Sequence, residues 1–255
     1  MSKHDYINLL NIAKKIDHSK TLNEIKQYFG FLCDSNVIDD IALSLQICIK
    51  KSKPMYIHGY VITSALKKYI ESDPNTEMQI FETGTARGFS AVCMAYIMNE
   101  TKCNGNIITL DHSPLHKKAK WNCIHDFEED GLKTRNEIVD IKYKTLHERF
   151  IKMKECDSID YIQTNPDGIE RINFAFLDGA HDYKSLKKEL KFVECRQKEG
   201  DVIVVDDYTK SQFPEIVKAI NEFVKEEKYE HKIFYADDGT KKRGYVYMIM
   251  KKNIN

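Results

Sequence analysis

Three aspartates close two apolar runs, Asp178 in "INFAFLDG" and Asp206 with Asp207 in "DVIVVDDY". If those runs are neighbouring parallel strands, their carboxyl ends lie side by side and the three carboxylates converge. Left unpaired they raise one another's pKa, and a hard divalent cation such as Mg²⁺ resolves the repulsion through oxygen ligands. The plainer alternative is that they cap loops or helices, where aspartate is favoured. His181 stands three residues past Asp178, in "DGAH". A neutral imidazole there can take a proton from an alcohol made acidic by a metal, or it can simply support the ligands or begin a helix. A second constellation is "IFETGTARGFSAVCMA", residues 80–95: an apolar strand end, a turn through Gly84 and Gly88, then a helical pattern. Such a turn brings backbone and helix N-terminal amides close to a ligand. Its Gly-x-x-x-Gly spacing, with Ala86 between, departs from the dinucleotide fingerprint and argues against a dehydrogenase.

The elements that must position these residues follow from periodicity. Apolar residues keep helical spacing in three N-terminal segments: Ile7, Leu10 and Ala13; Ile25, Phe29 and Leu32; Ile41, Leu45 and Ile49. "SDPNTEM" ends this region, so residues 1–75 are expected to form a helical cap over the ligand end of the strands. From residue 76 the strand candidates "QIFETG", "NIITLD", "IDYIQ", "INFAFLDG" and "DVIVVDDY" alternate with helical stretches. Alternation of this kind means right-handed crossovers and a mainly parallel sheet. "HKIFYA" and "GYVYMIM" read as a closing antiparallel pair. Residues 112–157 are longer than the usual connection and read as an insertion.

A chain of 255 residues fits one α/β domain with a decorating cap. Lys+Arg and Asp+Glu balance at 39 each, so no net field gathers nucleic acid or an anionic membrane; the expected partner is a small molecule. Seven scattered cysteines without a Cys-x-x-Cys pair read as reduced thiols, and the first residues hold no apolar signal segment. A soluble, cytoplasmic protein is expected, as a monomer or a homo-oligomer.

The ordered set of Glu82, Gly84, Thr85, Gly88, Phe89-Ser90 and, at the end of the next strand, Asp111 resembles the class I S-adenosylmethionine (SAM)-dependent methyltransferases. "ETGTARGFS" is particularly similar to the loop of catechol-type, metal-dependent O-methyltransferases. "INFAFLDGAHDYKSLKKEL" and "EGDVIVVDDYTKSQFPEIVKAI" look like the fourth and fifth strands of a bacterial small-molecule group that includes macrolide-sugar O-methyltransferases. The resemblance implies that Glu82 pairs with the cofactor's amino group, that Gly84, Thr85 and Gly88 approach its methionine part, and that Ser90 bonds its carboxylate. It implies that Asp111 accepts from both ribose hydroxyls, and that Gln163, Thr164 and Asn165, in the loop after a third strand, neighbour the adenine. Asp178, Asp206 and Asp207 match the metal-holding positions. At the offset of His181 the catechol-type enzymes carry a lysine as general base; the imidazole is a departure.

The implied fold is Rossmann-like, a mainly parallel seven-stranded sheet with an antiparallel last strand, spanning residues 76–255. The implied activity is metal-assisted O-methylation of a small hydroxylated metabolite, a sugar or a phenolic diol. Similarity to proteins named cephalosporin hydroxylases leaves a metal-dependent hydroxylase open, and a non-catalytic cofactor binder is the third reading. Trp121 and Arg135 are either acceptor-pocket residues or a packed ring and a surface guanidinium. His125, Glu128 and Glu129 read as an exposed charged helix end.

Overall fold

The computed structural model describes residues 2–128, 131–239 and 241–252. Four helices come first: α1 (Lys3–Lys14), α2 (Ser19–Phe29), α3 (Ser35–Leu45) and α4 (Ile57–Ser72). Then follow β1 (Met78–Thr83), α5 (Phe89–Glu100), β2 (Gly105–Asp111), a 3₁₀ turn at Ile124–Phe127, α6 (Arg135–Phe150), β3 (Ile151–Glu155) and α7 (Ser158–Thr164). The chain closes with β4 (Phe174–Leu177), α8 (Tyr183–Glu194), β5 (Val202–Val205), α9 (Pro214–Val224), β6 (Tyr229–Asp237) and β7 (Lys242–Met250).

The strands form one seven-stranded sheet in the order β3-β2-β1-β4-β5-β7-β6. β1 to β5 pair in parallel, and β7 runs antiparallel between β5 and β6. This is the expected Rossmann-like sheet with its antiparallel last strand. Alternate residues of each strand feed opposite faces. Ile80, Ile107, Phe174, Phe176, Val202 and Val204 join one core with the first six helices. Phe81, Ile108, Leu110, Ala175, Leu177, Ile203 and Val205 join the other with α7, α8 and α9.

Two elements differ from the sequence reading. "IDYIQ" lies in α7, not in a strand, because Asp157 caps the helix by accepting from the Ile159 and Asp160 amides. The third strand is Ile151–Glu155, inside the span read as an insertion, and it follows α6 with no loop between them. The N-terminal helices, read as a cap, also enter the core. Every residue of α4 from Ile57 to Leu66 is buried, and the helix packs on α5, β5 and β7. A helix apolar all round is a core helix. Among the described residues, no helix is long and apolar enough to cross a membrane.

Candidate active site

The carboxyl ends of β1 to β5 open into a cleft of about 600 Å³, inside the roughly 300–1,000 Å³ range of small-molecule sites. The sheet order reverses between β1 and β4, the place where open α/β sheets hold ligands. Gly84, Ala86, Asp111 and His112 form one side; Cys156, Asp157 and Ser158 follow β3; Asp178 to His181, Asp206 and Asp207 face them.

The glycine loop meets the cleft with its backbone. Gly84 has φ +91°, and a Cβ there would lie 2.0 Å from the Asp178 carbonyl oxygen. This glycine therefore brings the ends of β1 and β4 together as well as exposing the loop. Ala86, also left-handed at φ 46°, donates its amide to Asp111 Oδ2 at 2.7 Å. Gly88 is left-handed at the N-cap of α5.

The polar side chains of the loop point away from the cleft. Ser90 and Thr109 both donate to the fully buried Glu82 carboxyl, and Thr109 Oγ1 lies 2.6 Å from Thr85 Oγ1. One chain of hydrogen bonds thus ties α5, β1, β2 and the loop together. Glu82 and Ser90 thus bond each other in this structure, and neither lines the cleft. Burial pushes Glu82 up to about 7, against the opposing effect of its two hydroxyl donors. Glu189, buried beneath Thr83 and Gly179, is pushed up to about 7 for the same reason.

These shifts have a defined sign. A carboxyl whose folded pKa is raised binds protons more tightly folded than unfolded, so stability falls as pH climbs from about 4.5 through about 7. Each full shift is worth at most on the order of 3 kcal/mol. Glu82→Gln is expected to melt at or above the wild-type temperature at pH 8 and to flatten the profile between pH 5 and 8. An unchanged slope would remove Glu82 as its source.

Asp111 ends β2 and lines the cleft. It accepts from the Ser113 amide at 2.7 Å, besides Ala86, and forms an ion pair with Arg135 at 3.1 Å. Burial favours its neutral form, but Ser113, Arg135 and Ala86 outweigh it and hold the pKa below the ordinary carboxylate value. Arg135 is the partner that sequence reading missed. It is fully buried, not a surface guanidinium, and its guanidinium lies 5.4 Å from the Trp121 ring centroid. Neither residue lines the cleft.

Opposite, His181 Nε2 lies 3.1 Å from Asp207 Oδ2 and 3.7 Å from Asp178 Oδ1. Donor atoms of Asp178, His181 and Asp207 fall within 4.8 Å of one another. Asp207 is left-handed at φ 59°, a strained conformation for a side-chain-bearing residue and one that recurs at functional sites. The neighbouring Asp178 and Asp207 carboxylates push His181 up to about 10, against the opposing effect of burial. Asp206 is buried and accepts the Asp207 amide at 2.6 Å. Burial, then the charges of Asp178 and Asp207, raise its pKa well above normal. His181, rather than Asp206, completes the cluster of potential ligands.

Gln163, Thr164 and Asn165 fall elsewhere, at the far end of α7. Thr164 bonds the Asp160 carbonyl and Asn165 bonds the Ile169 backbone. The residues after the true third strand, Cys156 to Ser158, occupy the place assigned to them. His125 is buried, with Nε2 2.6 Å from Ser44 Oγ, so the exposed-helix-end reading of it is corrected. Glu129 lies outside the described residues. Sequence reading also missed Lys50, His58 and Arg243, which line the remaining flank.

A family model described as a methyltransferase domain matches residues 81–208, half of the chain. The chain belongs to this methyltransferase family. The matched span runs from β1 past β5 and holds the glycine loop, Asp111 and the whole acid–imidazole cluster. No curated protein matches the sequence significantly. Solved structures share the fold of this methyltransferase. An O-methyltransferase from Bacillus cereus in complex with SAH is 14% identical, with 93% of each chain covered and a TM-score of 0.56. TomG from Streptomyces achromogenes, an O-methyltransferase of tomaymycin synthesis in complex with SAM, is 12% identical over 92% of this chain and 100% of its own, with a TM-score of 0.55. SAH-bound PaMTH1 from Podospora anserina is 12% identical over 92% of this chain and 97% of its own, with a TM-score of 0.56.

Proposed function

We propose that the protein transfers the methyl group of SAM to a hydroxyl oxygen of a small metabolite. The observation that carries this reading is the meeting, in one cleft, of the Gly84–Ala86 backbone and Asp111 with the Asp178–His181–Asp207 cluster. Three structures of the same fold hold SAM or SAH by their own descriptions, which supports the cofactor.

The sulfonium is already an activated donor, so the chain's task is to hold oxygen, methyl carbon and sulfur in line. Asp111 keeps acceptor capacity toward ribose hydroxyls beyond its two present donors and its ion pair with Arg135. The loop amides and Gly84 set the depth of the cofactor. The acceptor oxygen forms its bond to carbon as the carbon–sulfur bond breaks, and the hydroxyl proton passes to a carboxylate oxygen of Asp178, whose pKa burial raises. Two carboxylates and an imidazole suit a divalent cation, and Asp178, His181 and Asp207 would hold it. When bound, such a cation supplies Lewis acidity that makes a hydroxyl easier to ionise.

Calorimetric titration with SAM tests the reading most directly. Saturable binding is expected, and Asp111→Asn should weaken it by roughly 10–100-fold, the worth of hydrogen bonds to a charged acceptor. Absence of saturable binding would end the proposal.

A further inference from the structure

The flank of the cleft formed by the α3–α4 connection and β7 carries two cations, Lys50 and Arg243, with His58 between the same walls. Neither cation makes a hydrogen bond or ion pair through its side chain with any described residue, and Arg243 Nε is buried without a partner. The acid cluster takes its direct partner from His181 instead. His58 adds no charge: burial, then the field of Arg243, push it down to about 3 while its ring stacks parallel to Phe176. Lys50 is exposed as a residue, yet loss of surrounding solvent lowers its pKa; Cys48 and Asp207 oppose the shift, while Arg243 and Arg87 add to it. The flank thus carries two cations without a direct hydrogen-bonding partner, in the field of the Asp178, Asp206 and Asp207 carboxylates across the cleft.

Arg243 is fixed at the acid–imidazole end. The Tyr208 amide, next to Asp207, donates to the Gly244 carbonyl, next to Arg243, at 2.9 Å. A Cβ on Gly244 would lie 2.5 Å from the Tyr208 oxygen, so the close approach depends on glycine. Asp111 and the glycine loop, where the cofactor is read to sit, line the same cleft. Lys50 and Arg243 both lie outside residues 81–208, so the parts of the chain beyond the family match furnish this flank.

We propose that the methyl acceptor is an anion, a hydroxylated molecule whose carboxylate or phosphoryl group is held by Arg243 and Lys50 while its hydroxyl lies at Asp178 and Asp207. Arginine and lysine both recognise these oxyanions, arginine through paired donors. The inference rests on the methyl-transfer reading.

Calorimetry on the SAH-loaded protein, with matched anionic and neutral probes, tests it: 3,4-dihydroxybenzoate against catechol, glucuronate against glucose, and glucose 6-phosphate against glucose. At least one anion is expected to bind tenfold or more tightly than its neutral partner, and the carboxylate and phosphate arms identify the group preferred. Arg243→Gln and Lys50→Gln should each remove most of that preference while leaving SAH affinity and melting temperature nearly unchanged. Equal binding within every pair, no binding of any anion, or variants that keep the preference would overturn the inference. Variants that weaken SAH instead would also overturn it, by assigning the cations to the cofactor's carboxylate. Failure of wild type to bind SAH would sink the cofactor reading itself, whereas SAH binding without anion preference sinks this inference alone.

Discussion

Gly84→Ala is expected to abolish cofactor binding and to lower the melting temperature by roughly 10 °C. Two costs combine. At φ +91° an alanine is strained by about 1–3 kcal/mol. Its Cβ would also meet the Asp178 carbonyl oxygen at 2.0 Å and the carbonyl carbon at 2.6 Å. Those atoms are backbone held by pairing, since the Asp178 amide donates to the Thr83 carbonyl at 3.0 Å and the Gly84 amide to the Leu110 carbonyl at 2.9 Å. The strand ends must therefore part, at a further cost of about 1–3 kcal/mol. Parting them moves the loop and Asp178 at once, so the cofactor half and the acid half of the cleft fail together. Gly30→Ala separates strain from collision: Gly30 has φ +77° but nothing within 4 Å of a built Cβ. A Gly84→Ala protein that melts no lower than Gly30→Ala and binds SAM within a few-fold of wild type would refute the argument. Circular-dichroism melts and calorimetry supply both readings.

The sheet was legible because its central strands are buried on both faces and read as unbroken apolar runs: Phe174–Leu177 and Val202–Val205 are buried at every position. β3 was not, because it is an edge strand. Ile151 and Met153 are buried while Lys152 and Glu155 are exposed, so "IKMKE" lacks the apolar run by which the others were recognised. "IDYIQ" looked more strand-like, and the signal against it was Asp157 in capping position. That one exchange displaced the candidate adenine neighbours from Cys156–Ser158 to Gln163–Asn165.

At the site, residues whose placement follows from chain order were legible, and those whose placement depends on distant partners were not. Asp111, Asp178 and Asp207 lie at strand ends, where topology alone brings them to the cleft. Glu82 and Ser90 have the right types and spacing, yet their orientation is set by Thr109 on the neighbouring strand, which no local pattern shows. Arg135, Lys50 and Arg243 reach the region from elements remote in sequence, and a single cation carries no spacing signature.

Under the proposed function, His181→Ala and Asp207→Asn are expected to fail in the same way. A residue acting only as general base would, when removed, leave metal affinity intact and lower turnover by roughly 10²–10⁴-fold, with recovery at high pH. The geometry argues otherwise. His181 Nε2 points between Asp207 and Asp178, at 3.1 and 3.7 Å, and its pKa is pushed up to about 10. Without a cation the imidazole keeps its proton, and the stability that pairing contributes is complete below about pH 6.5 and lost only as pH rises through about 10. A cation seated among the three residues must displace that proton, so its affinity should rise with pH and its binding should release acid. Asp207→Asn removes the nearer carboxylate and should bring the His181 pKa back toward 6.5, measurable by NMR titration of the ring. Each variant is expected to weaken Mg²⁺ or Mn²⁺ binding tenfold or more and to lower turnover by roughly 10²–10⁴-fold, with SAM affinity within a few-fold of wild type. If His181→Ala binds the cation like wild type and regains turnover at high pH, the imidazole is the base and not a ligand.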